Sequence, residues 1–256
     1  MEDYTILESY LEKSFMSEIY MVMDKKGIIK CLKKIPQYQS TSEIEILKTL
    51  THPNIVTFYT SFLIEGSEYN TYNCLVQEFV HGTTMDNYIF ENWHKTIPIY
   101  SILSQLCQAI HYMHQQQVYH LDLRPSNIML TGEPVCLTLL DFGLSKRQTN
   151  TSEQAIDLKF TSDFGQTTHY PPELIEEGIY GTFTDIWGIG CIICSLITGK
   201  PPFYSPKEQK WQLPSTMIES PTTTLLLKIL SPEYRERPLI TEIQAFIQQW
   251  TVLGPQ

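Results

Sequence analysis

His120-Leu121-Asp122-Leu123-Arg124-Pro125-Ser126-Asn127 is the stretch on which the fold turns. It follows a long helical pattern in which Ile99, Ile102, Leu103, Leu106, Ile110 and Met113 share one face. Pro125 stops a helix from continuing, and Asp122 and Asn127 are spaced to point into one cavity. The apolar run Leu137–Leu140 then leads straight into Asp141-Phe142-Gly143. A strand that ends in an acid followed by glycine presents its carboxylate at the rim of a cleft. Between Asn127 and Asp141 there is room for one β-hairpin around the turn Gly132-Glu133-Pro134. That hairpin brings the two side chains together as oxygen ligands. Two protein oxygens plus phosphate suit Mg²⁺, a hard ion that rarely takes a full protein cage.

Upstream, the first third of the chain alternates. Tyr4–Leu11, Ile19–Asp24 and Ile28–Ile35 read as strands, with Lys25-Lys26-Gly27 as a hairpin turn. Ser40, Thr41 and Ser42 offer caps to a helix marked by Ile44, Leu47 and Leu50 and ended by Pro53. Two more strands are expected at Ile55–Leu63 and Cys74–Val80, with Glu65–Asn73 as a long hairpin loop. Downstream, Phe183–Thr198 is apolar all round and reads as a central buried helix. Ile240, Ile243, Phe246, Ile247 and Trp250 mark a last one. Strands first and helices later predict an α+β fold, a β-rich lobe joined to an α-rich lobe. No Pro-, Gly- or Ser-rich linker separates them.

Bulk properties narrow the function classes. The 256 residues are 42% hydrophobic and 18% charged, ordinary globular values. A formal charge of −10 argues against a broad basic surface for nucleic acid or anionic lipid. The longest apolar stretch, Ile186–Ile197, is too short for a membrane span, which needs about 20 residues. Six scattered cysteines and no signal peptide predict reduced thiols and an intracellular protein, cytoplasmic by default with the nucleus open. Cys191 and Cys194 form a CxxC without two further zinc ligands at suitable spacing, so they read as core thiols.

These elements together resemble the eukaryotic-type protein kinases. The family's HRDLKPxN stands here as residues 120–127, its DFG as 141–143, and its APE as Pro171-Pro172-Glu173. Its DxWxxG stands as Asp185-Ile186-Trp187-Gly188-Ile189-Gly190. HPNIV, His52 to Val56, and the late Arg237-Pro238 are also typical. The resemblance covers roughly Tyr4 to Trp250. It implies one bilobal kinase domain over residues 1–256, with an N-lobe to about residue 80 and a C-lobe from about 81.

The resemblance also implies roles. Asp122 takes the place of the catalytic base, Arg124 that of the catalytic-loop lysine, and Asn127 and Asp141 those of the Mg²⁺ ligands. In Lys30-Cys31-Leu32-Lys33-Lys34-Ile35, Lys33 aligns with the ATP-phosphate lysine and Cys31 with the family's alanine. Strand alternation points Cys31 and Lys33 to one face, and Leu32 with the competing Lys34 to the other. Glu43 is the expected helix partner of that lysine, with Glu45 as runner-up. Glu78 and Val80 fall in the adenine hinge behind a Gln77 gatekeeper. Thr84 falls near the ribose position, where it reads equally well as a helix N-cap. Ile19, Cys31 and Met129 are expected to sandwich adenine. Leu47, Phe58, His120 and Phe142 align with stacked residues joining the lobes, Asp185 with a brace for the catalytic loop, and Glu173 and Arg237 with a buried ion pair.

The departures are as informative. No glycine precedes Gly27, so Glu12–Ile19, where the family has its Gly-rich loop, contains none. Leu121 replaces the arginine that receives activation-loop phosphate, although Thr149, Thr151, Ser152, Thr161 and Ser162 supply hydroxyls nearby. His169 stands in the place of a usual tyrosine, Gln166 or Thr167 in that of a threonine, and Asp163-Phe164-Gly165 repeats DFG with no strand before it. The resemblance implies transfer of phosphate from MgATP to serine or threonine of a protein, and the net charge of −10 would favour a basic one. The missing glycines keep open a pseudokinase, a binding or scaffolding module. A small-molecule kinase fits poorly with Pro-Pro-Glu and the central-helix motif.

Overall fold

In a computed structural model, residues 3–13, 17–37, 41–66, 71–92, 96–148, 169–205, 210–212 and 221–253 are described. The residues named above between Thr149 and Thr167 lie outside them, as does Ser40.

Strands β1 (Tyr4–Lys13), β2 (Glu18–Asp24) and β3 (Ile29–Pro36) form an antiparallel meander. Gly27 supplies the left-handed turn between the last two, at φ +79°. Helix α1 (Thr41–Leu47) precedes β4 (Phe58–Glu65) and β5 (Thr71–Glu78), which complete a sheet of order β1-β2-β3-β5-β4 among the described residues. Its two faces do different work. Tyr20, Val22, Leu32, Cys74 and Val76 close a small core on one side. Leu75 faces the other and joins Ile44, Ile46 and Leu47 of α1 in the main core.

Two boundaries differ from the sequence reading. The fourth strand begins at Phe58 rather than Ile55, because Ile55 bridges Leu139 in the second lobe. Val56 N–H donates to Leu139 O at 3.0 Å and Leu139 N–H to Asn54 O at 2.8 Å. His52–Val56 is therefore a strap onto the helical lobe. The hairpin loop is also shorter than Glu65–Asn73, since polar β4 and β5 residues up to Glu65 and from Thr71 stay paired.

A short β6 (Thr83–Thr84) leads into α2 (Met85–Asn92) and α3 (Ile99–Gln115). The α3 stripe is buried as its spacing predicts, from Ile102 to Met113. β7 (Val118–Tyr119) pairs with β10 (Lys146–Arg147), and β8 (Ile128–Thr131) with β9 (Cys136–Leu139) and β6. Helix α4 (Pro172–Glu176) precedes α5 (Thr182–Thr198), which is buried over nearly its whole length, both CxxC thiols included. A short pair, β11 (Phe203–Ser205) and β12 (Lys210–Gln212), then α6 (Pro221–Ile229) and α7 (Ile240–Leu253), end the chain's described part. No described helix is long and apolar enough to cross a membrane.

One ion pair ties the helical lobe internally. Arg237 donates to both Glu173 oxygens, at 2.6 and 2.8 Å, and to Ser231 O and Phe183 O, with both side chains buried. Its guanidinium also lies 4.8 Å from the Trp187 ring centroid. Arg237→Met strands a buried carboxylate and is expected to cost about 3–5 kcal/mol. Thermal unfolding by circular dichroism should show a melting temperature lower by on the order of 10 °C; a shift within error would mean the pair does not hold this lobe.

Candidate active site

Strand alternation delivers the first charged group. Cys31 and Lys33 of β3 face the gap between the lobes, and Lys33 is 7% exposed. Its Nζ lies 2.8 and 3.1 Å from the Glu43 oxygens and 2.6 Å from Asp141 Oδ1. Burial works against the ammonium, but the two carboxylates outweigh it and the Lys33 pKa is raised. Burial likewise opposes ionisation of Asp141, yet Lys33 and the Gly143 N–H hold its pKa below the ordinary value. The competitors point elsewhere. Lys34 pairs with Glu18 at 3.1 Å and sits over the Tyr72 ring, while Glu45 is exposed and pairs with Lys48.

The loop 120–127 is clamped from below. Asp185, at the start of α5, accepts the N–H groups of His120 at 3.0 Å and Leu121 at 2.8 Å, and its Oδ2 lies 2.9 Å from His114 Nε2. Leu121 is held at φ +66°, a conformation that a bulky residue adopts only when its surroundings impose it, and Asp141 at φ +53°, which aspartate reaches more readily. Leu121, in the place of an arginine, is 3% exposed and packs inward. Gly188 permits the close approach: a Cβ there would lie 2.5 Å from Leu123 Cβ and 3.1 Å from Leu123 O.

Within the loop, Asn127 Nδ2 donates to Asp122 O at 2.9 Å and to Asp122 Oδ2 at 2.7 Å. This fixes the amide so that its carbonyl oxygen is the end left for a ligand. Arg124 Nε donates to Ser126 Oγ at 2.7 Å. His120 is fully buried; its Nε2 lies 3.0 Å from Leu140 O and its ring centroid 5.0 Å from that of Phe142. Leu47 and Phe142 are buried, and Phe58 packs against the same core.

These groups meet on a cleft of about 730 Å³, inside the usual range for small-ligand sites. Its walls include Ile19, Cys31, Lys33, Glu78, Val80, Thr84, Asp122, Arg124, Asn127, Met129 and Asp141, together with Leu11 and Leu140. Of the expected site residues, only Glu43 stands behind the wall, where it contacts Lys33. Gln77 also lines the cleft, with Nε2 3.9 Å from Cys31 Sγ. Burial pushes the Cys31 thiol up to about 11. Glu78 N–H is already taken by Thr57 O at 2.9 Å.

Two contacts had no counterpart in the sequence reading. Tyr170, just before Pro-Pro-Glu, donates its hydroxyl to Asp122 Oδ1 at 2.7 Å. Arg147 donates to Gln116 O at 3.0 Å and to Thr49 Oγ1 at 2.7 Å, joining β10 to the end of α3 and to the turn after α1. Neither residue carries a motif. A signal for the first lay only in its nearness to Glu173.

The fold is bilobal, and its acid-lined cleft holds a lysine that pairs with a glutamate of its own lobe and with Asp141 of the other. A family model of the protein kinase domain matches residues 16–250, and the chain belongs to the protein kinase family. It is 32% identical over 223 residues, 80% of its length, to serine/threonine-protein kinase Nek10 of Homo sapiens, of which this covers 18%. It is 32% identical over 234 residues, 86% of its length, to serine/threonine-protein kinase 36 of Pongo abelii, covering 16% of that protein. Serine/threonine-protein kinase TIO of Arabidopsis thaliana is 29% identical over 278 aligned positions, 97% of this chain and 20% of the relative. The chain thus spans at most a fifth of the length of these relatives.

Gly188→Ala should push Leu123 and the 120–127 loop away from α5 at a cost of about 1–3 kcal/mol. The expected readout is a lowered melting temperature with the Lys33–Glu43 pair intact. A variant as stable as the parent would mean the loop moves freely off α5.

Proposed function

We propose that this domain is an ATP-dependent protein kinase that transfers the γ-phosphate of MgATP to serine or threonine hydroxyls. The observation that carries the reading is the convergence of Lys33, Asp122, Asn127 and Asp141 on one cleft, with Glu43 pairing Lys33 from behind. A module that only binds a partner has no chemical need for all five.

In this reading Ile19, Cys31 and Met129 enclose adenine, and Glu78 and Val80 meet its edge through their backbones. With its N–H engaged, Glu78 offers the base its carbonyl. Thr84 lies at the ribose. Lys33, kept charged by two carboxylates, grips the α- and β-phosphates, and Glu43 sets its direction. The Asn127 carbonyl oxygen and the Asp141 carboxylate are the hard donors that would hold Mg²⁺. Bound there, the ion neutralises charge on the phosphates. Asp122 takes the proton of the acceptor hydroxyl as its oxygen bonds to the γ-phosphorus and the bond to the bridging oxygen breaks, releasing ADP. Arg124, two residues along the same loop and on the wall of the same cleft, offers a cation to the transferred group. A basic protein acceptor fits a net charge of −10.

The second reading is a pseudokinase. It is favoured by the glycine-free Glu12–Ile19, because side chains there hinder close backbone approach to phosphate. The two readings separate in one experiment. Purified protein with Mg²⁺ and radiolabelled ATP should phosphorylate itself or a basic serine-containing peptide, and Asp122→Asn should lower the rate about 10²–10⁴-fold. Equal signal from parent and variant would reject the transferase reading. Separately, MgATP should raise the melting temperature of the parent and not of Lys33→Met; a parent that shifts but transfers nothing is the pseudokinase.

A further inference from the structure

Each carboxylate oxygen of Asp122 already holds one donor from this chain. Oδ2 accepts from Asn127 Nδ2 at 2.7 Å, and Oδ1 accepts from the Tyr170 hydroxyl at 2.7 Å. The Asn127 contact belongs to the loop itself, five residues away in sequence. The Tyr170 contact comes from 48 residues downstream, from the segment that leads into α4. That segment is firmly founded. Tyr170 is 7% exposed, and three positions on Glu173 is clamped by Arg237.

An acceptor hydroxyl can surrender its proton to Asp122 only by donating a hydrogen bond to one of these two oxygens. Oδ2 is bound on the Asn127 side. Oδ1 faces away from that contact, and there a hydroxyl of this chain already donates, in the way an acceptor hydroxyl would have to. A hydrogen bond from a hydroxyl to an ionised carboxylate is among the stronger kinds in proteins. The phenol is also well suited to stay: burial and the Asp122 charge raise its pKa, so it remains a donor throughout the working range of pH.

We propose that Tyr170 is an internal occupant of the acceptor-hydroxyl position, a lock on Asp122 that a substrate must displace. The inference rests on the reading of Asp122 as the base. Its consequence is specific: nucleotide enters a cleft whose wall does not include Tyr170, so the lock opposes the acceptor and leaves ATP alone. A site open in only a fraction of molecules binds its ligand more weakly by that fraction. Removing the hydroxyl should therefore lower KM for the acceptor, leaving KM for ATP and kcat near their parental values.

The test is Tyr170→Phe, which keeps the buried ring, with Tyr170→Leu as a second variant that removes its reach. Initial rates are measured on the full chain with MgATP and a basic serine-containing peptide, alongside melting temperatures. The lock predicts acceptor kcat/KM about 10-fold higher in Y170F, the scale of one charge-assisted hydrogen bond, and at least as high in Y170L. An active parent with Y170F unchanged or slower would overturn the lock alone and make Tyr170 a brace for Asp122. A parent and both variants that bind MgATP but transfer nothing would overturn the lock and the transferase reading together. An inactive parent made active by Y170F would establish both.

Discussion

Everything near the cleft depends on one buried cation. Lys33 has three oxygen contacts within 3.1 Å, two from α1 and one from the aspartate that ends the β8–β9 hairpin. An ammonium so deeply buried is tolerable only while paired, and removing either carboxylate leaves charge uncompensated in a poor solvent for it. Sheet, helix and hairpin are thereby coupled: α1 cannot drift from β3 without stranding Glu43, and Asp141 cannot leave without weakening Lys33. The short α1, with seven residues, has little stability of its own. Its position is set by Ile44, Ile46 and Leu47 in the core on one side and by this charge on the other.

The second organising group is Asp185. It does not touch the cleft, yet it holds two successive N–H groups of the loop that carries Asp122, including the one on Leu121 in a left-handed conformation. The same loop rests on Gly188, so the rigid, buried α5 both pulls on its backbone and leaves room for it. Sites built this way are positioned by a core helix rather than by the loop's own preferences. Arg147 extends the pattern, linking β10 to the ends of α1 and α3 through neutral acceptors.

Much of this was legible in the sequence because it was periodic or spaced. The α3 stripe, the all-apolar α5 and the alternation of Cys31, Leu32, Lys33 and Lys34 are direct consequences of helix and strand geometry, and that alternation turns Lys33 to the cleft and Lys34 away from it. Glu43, the helix partner expected from the family resemblance, contacts Lys33, while Glu45 pairs with Lys48. Long-range pairing was less visible. Ile55 has the composition of a strand residue, and only its partner Leu139 shows that it belongs to a strap between lobes. Tyr170 and Arg147 act through single side chains at sequence separations of 48 and 98 residues, where no local pattern exists to be read. The CxxC thiols were read as core, and burial within α5 gives the reason: Cys194 is pushed up to about 11 and so is a poor metal ligand or nucleophile.

The burial of the Lys33–Glu43 pair divides the protein's response to ionic strength. Ions screen exposed pairs such as Lys48–Glu45 over a Debye length of about 8 Å at physiological salt, but they penetrate poorly to charges enclosed by protein. Exposed pairs of this kind should thus weaken as salt rises, while the enclosed Lys33–Glu43 contact that shapes the cleft should not.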